Sequence, residues 1–268
     1  MSTQAAAQPN SGADVPAPQE SYQQLLDEAR NAVQELRLSA SLMRVSPDGT
    51  CPIFYRDCVI HAALPWADVD QYQRKLLSRR APEDEVLLTQ LIDLIPSLAG
   101  RTLVDVGSFT GTTAFFLRTF LKPDATHLFE PQALMQEALR AAVARNGAEG
   151  SAIQLHRDIL DQDEREMEIG ASTPARLFQT RYLRREGGPL RSRALDSLEL
   201  GPVGLLNVDF HNDKVPLLRG AMKTLERHRP IVVMDLTARD VQEVRDLLDP
   251  LKYTEVRAGR QSIICLPD

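Results

Sequence analysis

The chain has 268 residues, of which 43% are hydrophobic and 25% charged, with a net charge of −6. That is the balance of a globular protein, and the length allows one large domain plus appendages, or at most two small ones. The only basic stretches, "LSRRAP" and "RYLRREGGPLRSR", read as surface loops, which excludes an electrostatic footprint for nucleic acid.

In chain order, "MSTQAAAQPNSGADVPAPQE" has almost nothing to bury, so residues 1–20 are expected to be a disordered leader. It lacks the basic flank and apolar core of a secretory signal. From Tyr22 to about Val45, Leu25, Leu26, Ala29, Val33, Leu36 and Ala40 recur at helical intervals. Such a helix could dock on the domain or pair with a second copy of the chain. "CPIFYRDCVIHAAL" predicts two short strands around a turn at Arg56 and Asp57, and helical patterns follow near Val69–Leu77 and from Pro82 to Leu98. Residues 21–98 thus read as a helical N-terminal extension, and 99–268 as the main domain.

From Arg101 onward strand and helix alternate. "TLVDV", "THLFE", "AIQLH", "VGLLNVD" and "PIVVMDL" predict strands, while "GTTAFFLRTFL", "ALMQEALRAAVARNG" and "KVPLLRGAMKTLERH" predict helices. Alternation of this kind implies an α/β fold with a parallel sheet covered on both faces. A last helix, "DVQEVRDLLDPL", precedes "YTEVRAG" and "QSIICLP", which read as an antiparallel hairpin at the sheet edge. Residues 158–190 break the rhythm and read as an insertion over the C-terminal ends of the strands, where open α/β sheets bind ligands.

Cys51, Cys58 and Cys265 make neither a metal-spaced pair nor a disulfide framework, which fits a reducing, cytoplasmic compartment. No run of about 18 apolar residues occurs, so no membrane span is expected.

The chemistry-bearing stretch is "TLVDVGSFTGTTAFF". Its Gly107 and Gly111 are spaced G-x-x-x-G, which matches neither the dinucleotide fingerprint nor a phosphate-binding P-loop. Asp105, two residues ahead, makes a phosphate ligand unattractive and suits a cationic or amine-bearing one. Glu130, some 20 residues on at the end of the second strand, stands where an acid hydrogen-bonds ribose hydroxyls. Asp158, after the third strand, stands where an acid reaches an adenine amino group. Each alone could instead be a helix or loop cap; together they point to an adenosine-bearing ligand.

These residues match the S-adenosylmethionine site of class I methyltransferases, and the chain resembles the FkbM family. The family's "DVGANxG" reads here as Asp105 to Gly111, its "FEP" as Phe129-Glu130-Pro131, and its "N-G" as Asn146-Gly147. "ALDSL" (residues 194–198) and "NVDFHNDKVPLLRGAMKTLERHRP", with Asp209, Gly220, Ala221 and Pro230 in register, complete the series of blocks. The resemblance spans roughly Leu103 to Leu236. It implies a Rossmann-like methyltransferase sheet, with S-adenosylmethionine held by Asp105, Gly107, Ser108, Gly111, Glu130 and Asp158. It also implies O-methylation of a small-molecule, sugar or glycan hydroxyl.

Departures fall inside the site. Phe109 replaces an Asn of the family's glycine turn, and His211, Asn212 and Lys214 stand where the family has Glu-Gly and a second Glu. His211 or Asp209 could act as the catalytic base. Asp209, His211 and Asp213 could instead hold a divalent metal, or merely close a strand, face solvent and cap a helix. A silent cofactor-binding module on the same fold is the rival reading; a nicotinamide oxidoreductase is disfavoured by the glycine spacing. His127, His156, Trp66 and Asp235 are lesser candidates.

Overall fold

The computed structural model describes residues 18–42, 45–147, 152–170, 172–236, 240–258 and 262–268. The chain forms two compact units, Met1–Ala40 and Ser41–Asp268. The first contributes helix α1 (Pro18–Leu42). Its start lies inside the stretch expected to be a leader, and residues 1–17 of that stretch lie outside the described residues.

The second unit opens with the expected hairpin, β1 (Thr50–Tyr55) and β2 (Cys58–Ala63), turning at Arg56 with a positive φ of 50°. Helices α2 (Gln71–Arg79) and α3 (Glu85–Leu94) follow, each capped by an aspartate, Asp70 and Asp84 respectively. Then come β3 (Thr102–Val106), α4 (Thr112–Leu121), β4 (Ala125–Phe129), α5 (Ala133–Arg145) and β5 (Ile153–His156). β3 is wholly buried, and α4 buries most of its apolar residues. A helix carrying Phe115, Phe116, Leu117 and Leu121 has little polar face to offer water, and here the β1–β2 hairpin covers its outer side. Asn146 fastens that hairpin to α5. Its side-chain oxygen accepts from the His61 N–H at 2.9 Å, and its amide donates to the His61 carbonyl at 2.8 Å.

The insertion, expected only as an irregular stretch, builds its own sheet from β6 (Ile159–Leu160), β7 (Arg165–Ile169), β8 (Tyr182–Arg184) and β9 (Leu190–Arg193), ordered β6-β9-β7-β8. A 3₁₀ turn at Pro174–Gln179 joins β7 to β8. The main domain resumes with β10 (Val203–Val208), α6 (Lys214–Arg219), α7 (Met222–His228), β11 (Ile231–Asp235), α8 (Val241–Leu248), β12 (Tyr253–Ala258) and β13 (Ser262–Pro267).

The single helix expected at 214–228 is therefore two. Gly220 lies against the insertion, where a Cβ would sit 2.1 Å from the Asp161 carbonyl oxygen. Asp196 restarts the helix by accepting from the backbone N–H groups of Lys223 and Thr224, both at 2.8 Å. The "ALDSL" and "RGA" blocks of the sequence thus touch, which gives a physical reason for their occurring together.

The central sheet runs β12-β13-β11-β10-β3-β4-β5. β3, β4, β5, β10 and β11 are parallel, and β13 is antiparallel to both β11 and β12. The chain leaves β3 outward through β4 and β5, then returns to the other side of β3 as β10. That reversal opens a crevice between the C-terminal ends of β3 and β10, the usual ligand position in an open α/β sheet. Among the described residues no helix is long and apolar enough to cross a membrane.

Candidate active site

A cleft of about 1080 Å³ occupies this crevice, with the ends of β3, β4, β10 and β11 as its floor and α2, α3 and the 3₁₀ turn of the insertion as its walls. It is large for a single small-molecule pocket.

Asp105, at the end of β3, is buried, and the Asn207 amide of the neighbouring β10 donates to it at 2.7 Å. Burial raises its pKa, with the bonds from Asn207 and Ser108 opposing the rise. Asn207 went unnoticed in the sequence, although an amide inside the apolar run "VGLLNV" was a usable signal. Ser108 turns inward, its hydroxyl donating to the Asp105 carbonyl at 3.0 Å.

Gly107 has a φ of +83°, and a Cβ there would lie 2.0 Å from the Asp209 carbonyl oxygen. The glycine is needed for a close approach between the turn after β3 and the end of β10. Gly111 takes the left-handed conformation at the start of α4. Between them Phe109 also has a positive φ, 42°, a strained choice for an aromatic residue, where Asn is far more at ease. Its ring packs edge-on against Tyr72 of α2, centroids 5.7 Å apart, and lies near Phe178 of the 3₁₀ turn at 6.5 Å.

Glu130 follows β4 and is 2% exposed. Its two carboxyl oxygens accept from the backbone N–H groups of Phe109 (3.0 Å) and Gln132 (2.8 Å). Burial nevertheless pushes its carboxyl up to about 7. Each oxygen keeps a further lone pair for a ligand hydroxyl. Asp158 is half-buried at the cleft margin, 4.0 Å from Arg193 of β9.

Across the crevice, Asp209 follows β10 and opens to the cleft. Its position deep between the walls, with the charges of Asp235 and Asp105 added, pushes its carboxyl up to about 7, and Lys214 opposes the rise. His211 is exposed at the cleft, its ring edge-on to Phe178 at 5.5 Å. Loss of water, then the charges of Lys214 and Arg181, lower its pKa.

Asn212 does not face the ligand space. It brackets Tyr182 of β8, accepting from its N–H and donating to its carbonyl, both at 2.9 Å, and so ties the insertion to the main sheet. Asp213 caps α6 through Val215 N–H at 3.0 Å. Asp209, His211 and Asp213 are therefore not brought together, and among the described residues no three His, Cys, Asp or Glu side chains form a group suited to a metal.

Tyr72 and Phe178 were also missed in the sequence. They reach the cleft from segments about a hundred residues apart, and Asp70 holds those segments together. It caps α2 through Gln73 N–H (2.9 Å) and accepts from Leu177 N–H (2.8 Å). Nothing in local spacing announces such a contact. His127 and His156 stack and hydrogen-bond to each other at 2.9 Å and do not line the cleft, although His156 stacks on Phe129, which does.

No family model matches the chain, and no curated protein does. Among solved structures it is similar to the methyltransferase FkbM from Methylobacillus flagellatus KT, with a TM-score of 0.52 and 14% identity. That likeness covers 88% of this chain and 60% of the other, so the chain spans less than two thirds of that protein's length. More distant are a putative rRNA-methylase from Clostridium thermocellum (TM-score 0.45, 14% identity, 68% of this chain and 95% of that one) and the O-methyltransferase TomG from Streptomyces achromogenes in complex with SAM (0.42, 17%, 75% and 88%). The first likeness shows the fold alone: a Rossmann-like α/β sheet, as expected from the sequence.

Proposed function

We propose that the chain is an S-adenosylmethionine-dependent methyltransferase acting on a hydroxyl of a small molecule or sugar. The observation that carries this reading is the row of carboxylates at successive strand ends, Asp105, Glu130 and Asp158, lining one cleft beside the switch point. In this reading Glu130 accepts the two ribose hydroxyls, Asp158 meets the adenine amino group, and Asp105 with the Gly107–Gly111 turn holds the amino-acid end. The cofactor supplies an electrophilic methyl group. The protein's part is to align the acceptor and to remove its proton.

Asp209 is the base this geometry favours. It stands at the crevice beside Gly107, and a carboxyl near neutrality can take a proton at physiological pH. His211, against Phe178, is the second choice. The silent-module reading is supported by the family acids that His211 and Lys214 replace, and a turnover assay separates the two.

Calorimetry with S-adenosylmethionine and with NAD tests the cofactor. The first should bind and the second should not. Glu130→Ala should weaken binding at least tenfold, since a lost charged hydrogen bond costs about 1.5–3 kcal/mol. Unchanged affinity in a folded variant would remove the ribose assignment.

A further inference from the structure

The carboxylates that line the cleft differ in how they are engaged. Lys75 pairs with Glu83 and Arg79 with Glu85, and Asp84 is spent on capping α3. Asp105, Glu130 and Asp158 are taken up in the proposed cofactor site. That leaves Asp209 and Asp235, at the ends of neighbouring strands β10 and β11. Both open to the cleft, and neither is in an ion pair among the described residues. Asp235 accepts from the Ser262 hydroxyl.

Lys214 lies within electrostatic reach of both acids but forms an ion pair with neither. Lys214 directs its ammonium to the carbonyls of Phe210 and Asn212, with the Phe210 ring 5.4 Å away. Arg181 makes its charge felt at His211. The rings of Tyr72, Phe178 and His211 line the same cleft, with Tyr72 in the field of Asp209 and His211 in that of Asp235. Tyr72 and Phe178 lie 5.1 Å apart, and Asp209 is the foremost of the charges acting on Tyr72. Unpaired carboxylates next to aromatic faces form a receptor for an organic cation, which gains from ion pairing and from the ring quadrupole together.

Resting on the methyltransferase reading, we propose that the acceptor is an amine-bearing hydroxyl compound, whose protonated amine is received by Asp235 against the ring wall while its hydroxyl faces Asp209. A neutral sugar could hydrogen-bond to these carboxylates but would leave their charge uncompensated, and an anionic acceptor would be repelled.

The test uses the full chain, with and without S-adenosylhomocysteine, and three probes that share a phenol ring: tyramine, 4-ethylphenol and 3-(4-hydroxyphenyl)propanoate. Binding is followed by NMR titration. Tyramine should bind at least about tenfold more tightly than 4-ethylphenol, as expected for a charged hydrogen bond, and the carboxylate probe should bind least. Asp235→Asn should collapse the tyramine preference, and Asp235→Glu should keep it, with S-adenosylhomocysteine affinity unchanged in both. Thermal unfolding of each variant confirms that it is folded.

Equal binding of the charged and neutral probes, a preference that survives Asp235→Asn, or no tyramine binding at any soluble concentration would overturn the proposal. Failure of S-adenosylhomocysteine to bind would instead overturn the methyltransferase reading. The charge preference is measured in the ligand-free protein as well, so the two failures are told apart.

Discussion

On one side of the switch point, at the ends of β3 and β4, the carboxylates are already engaged. Asn207 holds Asp105, and two backbone N–H groups hold Glu130. On the other side, at the ends of β10 and β11, Asp209 and Asp235 stand open, and the residues around them do structural work: Asn212 clamps the insertion and Asp213 caps a helix. The first side is preorganised to hold a constant ligand, since fixing its groups in advance lowers the cost of binding. The second side is fastened by its backbone and leaves its acids free for a partner from outside. The departures from the FkbM pattern touch both sides: Phe109 in the glycine turn on the first, and His211, Asn212 and Lys214 on the second.

The largest effect should come where the two sides touch. Gly107→Ala places a methyl group 2.0 Å from the Asp209 carbonyl at a positive φ, so strand β10 and the glycine turn can no longer both keep their positions. A loss of about 4 kcal/mol or more, or failure to fold, is expected in denaturant unfolding. A variant within about 1 kcal/mol of the parent would show that the contact yields easily.

Next comes the chemistry of the open side. Asp209→Asn should lower turnover on a true acceptor by about 10²–10⁴ with cofactor affinity nearly unchanged. The pH profile identifies the base. If Asp209 is the base, the rate should rise with pH through about 7; if His211 is the base, the inflection should fall below its ordinary value of 6.5. Full turnover in both Asp209→Asn and His211→Ala would reject both.

Much of the preorganised side was legible in the sequence. A fully buried strand such as β3 must read as an apolar run, and a turn with positive φ at both ends must carry glycines, so "TLVDVGSFTG" shows its geometry locally. Glu130 and Asp209 could be placed because strand ends are countable. The insertion was not legible as strands, since β6 to β9 are short and thick with Arg and Glu, which hides any alternation. Tyr72 and Phe178 were invisible for another reason: their meeting depends on Asp70 reaching Leu177, a long-range contact with no period. The break at Gly220 depends likewise on the Asp161 carbonyl.

The engaged side should also show itself in the pH dependence of stability. Glu130 is held up to about 7, against an ordinary 4.5. Between those values the folded protein keeps a proton that the unfolded chain has released. Stability should therefore be greatest below 4.5 as far as this group is concerned, and should fall as pH rises through 7. The contribution is at most about 3.5 kcal/mol. Asp209 adds a slope of the same sign, so the informative quantity is the difference between the parent and Glu130→Gln, which cannot titrate. If the variant keeps the full slope, Glu130 is ionised in the folded protein, and its two N–H donors outweigh its burial.

The smallest effect tests whether the insertion belongs to the open side. Asn212→Ala removes both bonds to Tyr182 and leaves the backbone groups of that buried residue short of partners. A stability loss of about 1–2 kcal/mol is expected, because two net hydrogen bonds of ordinary strength are lost. The local consequence is more telling. The bracket fixes β8, and the chain just before β8 carries Phe178 into the cleft, so loosening it should weaken acceptor binding. Glu130 sits across the switch point under its own N–H donors, so cofactor affinity should stay within about twofold, well inside one ordinary hydrogen bond. Acceptor KM and cofactor Kd, measured on the same preparation, decide the matter. If both shift together, the cleft responds as one body and the division into a fixed side and an open side is wrong. If the acceptor term moves alone, the insertion is the adjustable wall of the acceptor pocket.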